Sequence, residues 1–206
     1  MDGKMKGRQA VDSLFDSLYS ELAKQEKVAK ELEEMPVQNL MQRPAPESWN
    51  ALEAIAHLNS YARYYLPAFN RAIEDAEKKG YKPETHFKSS WIGRYSIRSV
   101  SPETRKRKLK SPKAHNQAKQ ATVPMSKDEL LRFRNHLDGI RLVLEKSRRV
   151  SLSKTKISIE IAVWLKLSLG DFLPFLITHQ SRHLDQAMEA AQLTHSAHPS
   201  ASRAAG

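Results

Sequence analysis

Apolar residues return every three or four positions through long stretches of this chain, a period that admits packed helices and little else. The clearest run is Val11, Leu14, Phe15, Leu18 and Leu22, which predicts an amphipathic helix over residues 8–34, stopped before Pro36. Pro44 and Pro46 then hold an extended link. Asn50, with Glu53 three residues on, reads as a capping box opening a second helix to about Lys79, with Gly80 as its stop. Ser126 and Glu129 repeat that signature before a third helix, residues 127–148, striped by Leu130, Phe133, Leu137, Ile140 and Leu144. Ser168 or Asp171 caps a fourth helix reaching about residue 193, with Pro174 in or near its first turn.

Two stretches do not follow the helical period. Residues 156–161 alternate briefly before a continuously apolar run that reads as buried core. Interrupted by Glu160, Lys166, Gly170 and Asp171, the run is too polar to span a bilayer. Residues 81–125 are charged, proline-containing and aperiodic apart from a short ordered piece at 87–95. That is a long connection of the kind that crosses over a bundle. The expected fold is therefore all-α: a four-helix bundle with a long crossover connection between helices 2 and 3. It forms a single domain over residues 8–193, followed by a disordered tail, 194–206, rich in Ser, Ala and His.

The 206 residues carry a net charge of +11, and its location matters more than its size. From Arg94 to Lys119 there are nine basic residues against one acid, Glu103, so this single stretch supplies +8 of the total. A basic stripe can bind phosphates. This one contains one aromatic, Tyr95, and no recognisable nucleic-acid motif, so a solvated connector is the expectation and a nucleic-acid partner is not. The start, Met1-Asp-Gly-Lys-Met-Lys-Gly-Arg8, lacks a following apolar segment, which leads us to expect a cytoplasmic protein with no membrane association. There are no cysteines, which excludes disulfides, thiolate metal sites and a cysteine nucleophile. Any thiol chemistry has to use a thiol brought by another molecule.

On the fourth helix, Phe172, Leu176, His179, His183, Gln186 and Ala190 share one face at about 100° per residue. Two imidazoles one turn apart on an apolar stripe cost free energy unless something satisfies them. A divalent metal would do so, as would hydrogen-bonded neighbours. Of the other histidines, His86 and His115 lie in the connector, His195 and His198 in the tail, and His136 on a face expected to be solvated. His57 differs, because it shares a facet of the second helix with Glu53, Tyr61 and Tyr64. That facet can line a crevice, and His57 is a candidate third nitrogen. Glu53 is read first as a cap, and otherwise as a general base or a partner of His57. Tyr61 and Tyr64 are pocket candidates on a half-buried facet. Arg182, inside the histidine pair, is read as an ion-pair partner of Asp185 or as a group orienting a ligand carboxylate. Trp49 and Trp91 are read as structural anchors.

Pro44, Pro46, Ser48-Trp49-Asn50, Glu53 and His57-Leu58, then Trp91-Ile-Gly-Arg94, Leu169-Gly-Asp171, and His179 with Arg182-His183-Leu184 and Gln186, together resemble the DinB/YfiT-like superfamily over residues 10–192. The resemblance implies a four-helix bundle with a divalent metal on one histidine of the second helix and two of the fourth, here His57, His179 and His183. It also implies frequent homodimers and, in characterised branches, transfer of low-molecular-weight thiols such as bacillithiol or mycothiol. Three neutral nitrogens with an open position suit zinc or nickel, and admit iron or manganese. The leading expectation is a metal-dependent transferase joining such a thiol to a small electrophilic substrate. A hydrolase using metal-bound hydroxide, and a non-catalytic metal-binding stress or interaction protein, are the alternatives.

Overall fold

A computed structural model describes residues 8–101, 125–160 and 162–192. The expected tail and most of the basic stretch lie outside the described residues. The elements in chain order are β1 (Arg8–Ala10), α1 (Val11–Glu34), α2 (Val37–Met41), α3 (Ala51–Lys78), β2 (His86–Lys88), α4 (Trp91–Val100), α5 (Asp128–Ser147), β3 (Lys156–Ile159), β4 (Ala162–Ser168) and α6 (Leu169–Gln192). The fold is mostly helical. Among the described residues, no helix is long and apolar enough to cross a membrane.

The four long helices α1, α3, α5 and α6 form the bundle, with α1 and α3 each packing on both α5 and α6. Each contributes a fully buried phenylalanine: Phe15, Phe69, Phe133 and Phe172. Burying one such ring stabilises the fold by about 1.5–3 kcal/mol. The polar contacts show the helix directions. Arg148–Asp12, Arg141–Glu26 and Arg134–Glu33 pair α5 with α1 in descending order, so these two helices are antiparallel. Asn59 meets Glu129, and Lys146 meets Asn70, at a near-constant sequence offset, so α3 and α5 run parallel. Parallel neighbours cannot be joined by a tight turn, which accounts for the long crossover connection between them.

Several local readings need correction. Residues 8–10 are not helical; β1 pairs antiparallel with β2, Gln9 opposite Phe87. The connector holds a ten-residue helix, α4, as well as β2. The apolar run after Lys156 folds into an antiparallel hairpin, β3–β4, and not into uniform core: Trp164 is 82% exposed. Trp91, expected as an anchor, is 71% exposed. The box at Asn50–Glu53 forms with both hydrogen bonds, 2.8 and 3.0 Å. The one at Ser126–Glu129 does not. There Ser126 Oγ accepts from Asp128 N at 3.2 Å, a local turn, and Lys127 is the N-cap. Pro174 lies beyond the first turn of α6 and removes one interior hydrogen bond.

The start of α6 is the most heavily bonded junction. Leu169 N donates to Thr155 O (2.8 Å), Gly170 N to Leu152 O (3.2 Å) and Asp171 N to Ser168 Oγ (3.2 Å), which satisfies three of the orphan donors of a helix N-terminus. The buried Asp171 carboxylate in turn accepts from Ser168 Oγ (2.8 Å), Ser89 Oγ (2.5 Å), Ser90 Oγ (2.8 Å) and Ser90 N (3.2 Å). Ser90 is also the N-cap of α4, so one carboxylate sits at the N-termini of two helices, where the helix dipoles favour it. Gly93 lets α4 approach, since a Cβ there would overlap the Asp171 carboxylate. At Gly170 a Cβ would fall 2.6 Å from the Phe87 ring.

His136 is half-buried, contrary to expectation. Its Nδ1–H donates to Asn59 Oδ1 at 2.9 Å, while Asn59 Nδ2 donates to Glu129 O and Oε2, linking α3 to α5. Burial holds its pKa below the ordinary value, the Arg63 charge adds to this, and Glu129 opposes it.

Two outcomes test this scheme. Asp171→Ala should cost about 2–4 kcal/mol in denaturant unfolding, as should Gly93→Ala. The double variant should lose clearly less than the sum, because both changes break one contact; strict additivity would contradict the junction. A histidine with a depressed folded-state pKa contributes stability above pH 6.5 that is lost as pH falls below it. Urea midpoints of His136→Gln should therefore decline less than those of the wild type between pH 7 and 5; parallel declines would refute this.

Candidate metal centre

His57 lies in the second turn of α3, while His179 and His183 are one turn apart on α6, which crosses α3 at that level. The three rings meet. His57 Nε2 and His179 Nε2 are 3.4 Å apart, and the available nitrogens of all three histidines lie within 4.8 Å of one another. Ring centroids are 5.3 Å apart for His57–His179 and 4.6 Å for each with His183. His57 and His179 are buried, and His183 is half-buried, the ring nearest solvent.

The donor set fits a divalent ion. Nitrogens held about 2.0–2.1 Å from a tetrahedral ion lie about 3.3–3.4 Å from each other, the spacing of His57 and His179. The same spacing exceeds the usual upper range of about 3.2 Å for an N–H hydrogen bond. Protonation is also right for ligation. Burial pushes the His183 imidazole down to about pH 4; hydrogen bonding to Gln186 partly opposes this and the Arg182 charge adds to it. At neutral pH the ring is uncharged. His183 Nδ1 donates to Gln186 Oε1 at 3.0 Å, so the tautomer is set with the Nε2 lone pair available, the arrangement found around metal-bound histidines.

Aromatic walls surround the cluster. Trp49 lies 4.9 Å from His57 and 5.8 Å from His183 by ring centroid, and Tyr61 lies 4.9 Å from His57 and 4.6 Å from His179. Phe175 stacks on His179 at 6.2 Å. Burial keeps the Tyr61 phenol protonated well above its ordinary range, reinforced by Tyr65 and Glu160. Tyr65 is likewise pushed up to about 12 by burial, and its hydroxyl accepts from Glu160 N at 3.1 Å, which fastens the β3–β4 turn beside Tyr61.

The other pocket candidates divide. Glu53 is buried but committed: one carboxylate oxygen completes the Asn50 cap and the other pairs with Arg43. Tyr64 is part-exposed and packs edge-on against Tyr65, away from the rings that meet the histidines. Arg182 is buried beside His183 and acts on it through its charge. Sequence reasoning missed Trp49 and Phe175 as walls and Gln186 as the partner of His183. The i, i+3 spacing of His183 and Gln186 on one stripe was the available signal for the last.

The adjacent antiparallel helices α3 and α6 of a helical bundle thus bring together three imidazoles that could hold a metal ion. Residues 22–187 match the DinB superfamily, and the chain belongs to it. No curated protein and no solved structure matches the chain.

Proposed function

We propose that His57, His179 and His183 hold one divalent ion, zinc or nickel before iron or manganese, and that the protein transfers a low-molecular-weight thiol to a small electrophile there. The observation that carries the reading is the 3.4 Å separation of two buried Nε2 atoms in a ligand group made only of imidazoles. When bound, an ion on three neutral nitrogens keeps its full positive charge and brings the pKa of a coordinated thiol toward neutrality.

The chain's own residues supply the rest. Gln186 fixes the His183 ring and its tautomer. Trp49, Tyr61 and Phe175 put aromatic surface against the three rings, which lowers the local polarity and strengthens electrostatic interactions there. The protonated Tyr61 hydroxyl is a donor, not an acceptor of substrate protons, and Arg182 contributes positive charge near the open side. With no cysteine in the chain, the nucleophilic sulfur comes from a co-substrate such as bacillithiol.

Elemental analysis of untagged protein should find about one equivalent of metal per chain, and His179→Ala should lose it. Bacillithiol should bind saturably to the wild type and not to His57→Ala or His183→Ala. Metal well below one equivalent after incubation with Zn²⁺ or Ni²⁺ would sink the proposal, and ester turnover that needs metal but no thiol would favour a hydrolase. Gln186→Leu should weaken Zn²⁺ binding about 10–100-fold, whereas Gln186→Glu, which keeps an acceptor for His183 Nδ1, should not. Equal affinity in both variants would remove Gln186 from the centre.

A further inference from the structure

The exposed residues of α4 are Trp91, Arg94, Tyr95 and Arg98, spaced i, i+3, i+4 and i+7, so they form one face of that helix. Trp91 and Tyr95 are each 71% exposed, one turn apart, with an arginine beside each. The opposite side of α4 is already used, since it packs on α6 through Gly93 and buries Val100. Exposed Lys88 precedes the helix. Strand β4, which α4 contacts, exposes Trp164 and Lys166. None of these residues takes part in the histidine cluster.

We infer that this face binds single-stranded nucleic acid without sequence preference. Aromatic planes interleaved with arginines suit a flexible polyanion whose bases stack while its phosphates pair with guanidinium groups. An interfacial membrane helix separates its apolar and cationic residues onto opposite faces; α4 mixes them on one face and turns its aliphatic residues inward. An acidic protein partner would use the arginines and leave two stacked-out aromatics unexplained. The basic stretch by itself holds one aromatic, Tyr95; the face gains Trp91 and Trp164 from outside that stretch, and both are exposed.

Fluorescence anisotropy of full-length protein with a labelled oligo-dT of about 16 nucleotides tests this. Binding should be about 1–100 µM near physiological salt and weaken steeply as salt rises. Trp91→Ala with Tyr95→Ala should weaken it about ten-fold or more, Trp91→Phe should largely retain it, and neither should lower the melting temperature. Arg98→Gln should reduce the salt slope by about 0.7, the share of one phosphate contact on a single strand. His183→Ala should bind the oligonucleotide like the wild type, so that failure of the metal proposal leaves this one standing, and the converse. Absence of binding at low salt would overturn it. So would binding indifferent to the Trp91 and Tyr95 changes, equal affinity for duplex, capture only by phosphatidylserine vesicles, or a Trp91-dependent dimer that ignores the oligonucleotide.

Discussion

The Asp171 carboxylate is the constraint on which the rest of the architecture leans. It is buried, and among the described residues it is held by three hydroxyls and a backbone amide at the start of two helices, with no ion-pair partner. Such an anion is stable only while every donor stays in place. The junction therefore fixes the start of α6 against α4, with the 151–155 turn closing the remaining donors. Two and three turns further along α6, that fixed start becomes a fixed position for His179 and His183. The short sequence pieces Trp91-Ile-Gly-Arg94 and Leu169-Gly-Asp171 acquire a physical meaning here, because Gly93 and Asp171 need each other's space.

The histidine cluster solves a different electrostatic problem. Burying carboxylates beside the imidazoles would charge the rings and tighten an ion at the expense of its positive character. In this chain Glu53, one turn before His57, is turned to its own helix cap and Arg43, and aromatic planes lie against the rings. The result is a ligand-ready set of ring nitrogens, with His183 the ring nearest solvent.

How much of this was legible in the sequence follows from the range of the forces involved. Helical period, the Asn50–Glu53 cap and the Gly80 stop are local, and they placed the long helices to within a few residues. The crossover was visible as a long aperiodic connection. The β1–β2 pairing and the β3–β4 hairpin were not, since strands of three to seven residues are decided by tertiary partners such as Phe87 under Gly170. Exposure was the least legible quantity. Trp91, read as an anchor, and Trp164, in a run read as core, are exposed, while His136, read as solvated, is half-buried. Which face of a helix turns inward depends on what the neighbouring helix offers, and a period alone does not contain that. The three histidines could be nominated from face-sharing, but their meeting depends on α3 and α6 being adjacent and antiparallel.

That adjacency has a consequence for the life of the molecule. His57 and His179 are 122 positions apart in the chain, and nothing short of the assembled bundle brings them to 3.4 Å. An ion needing all three nitrogens would see no site in the unfolded chain, so its binding free energy would be added in full to the folded state. Loading would then act as a clasp between the first and last halves of the polypeptide. It would slow the local opening of α6, and the starved protein would be the more readily degraded form.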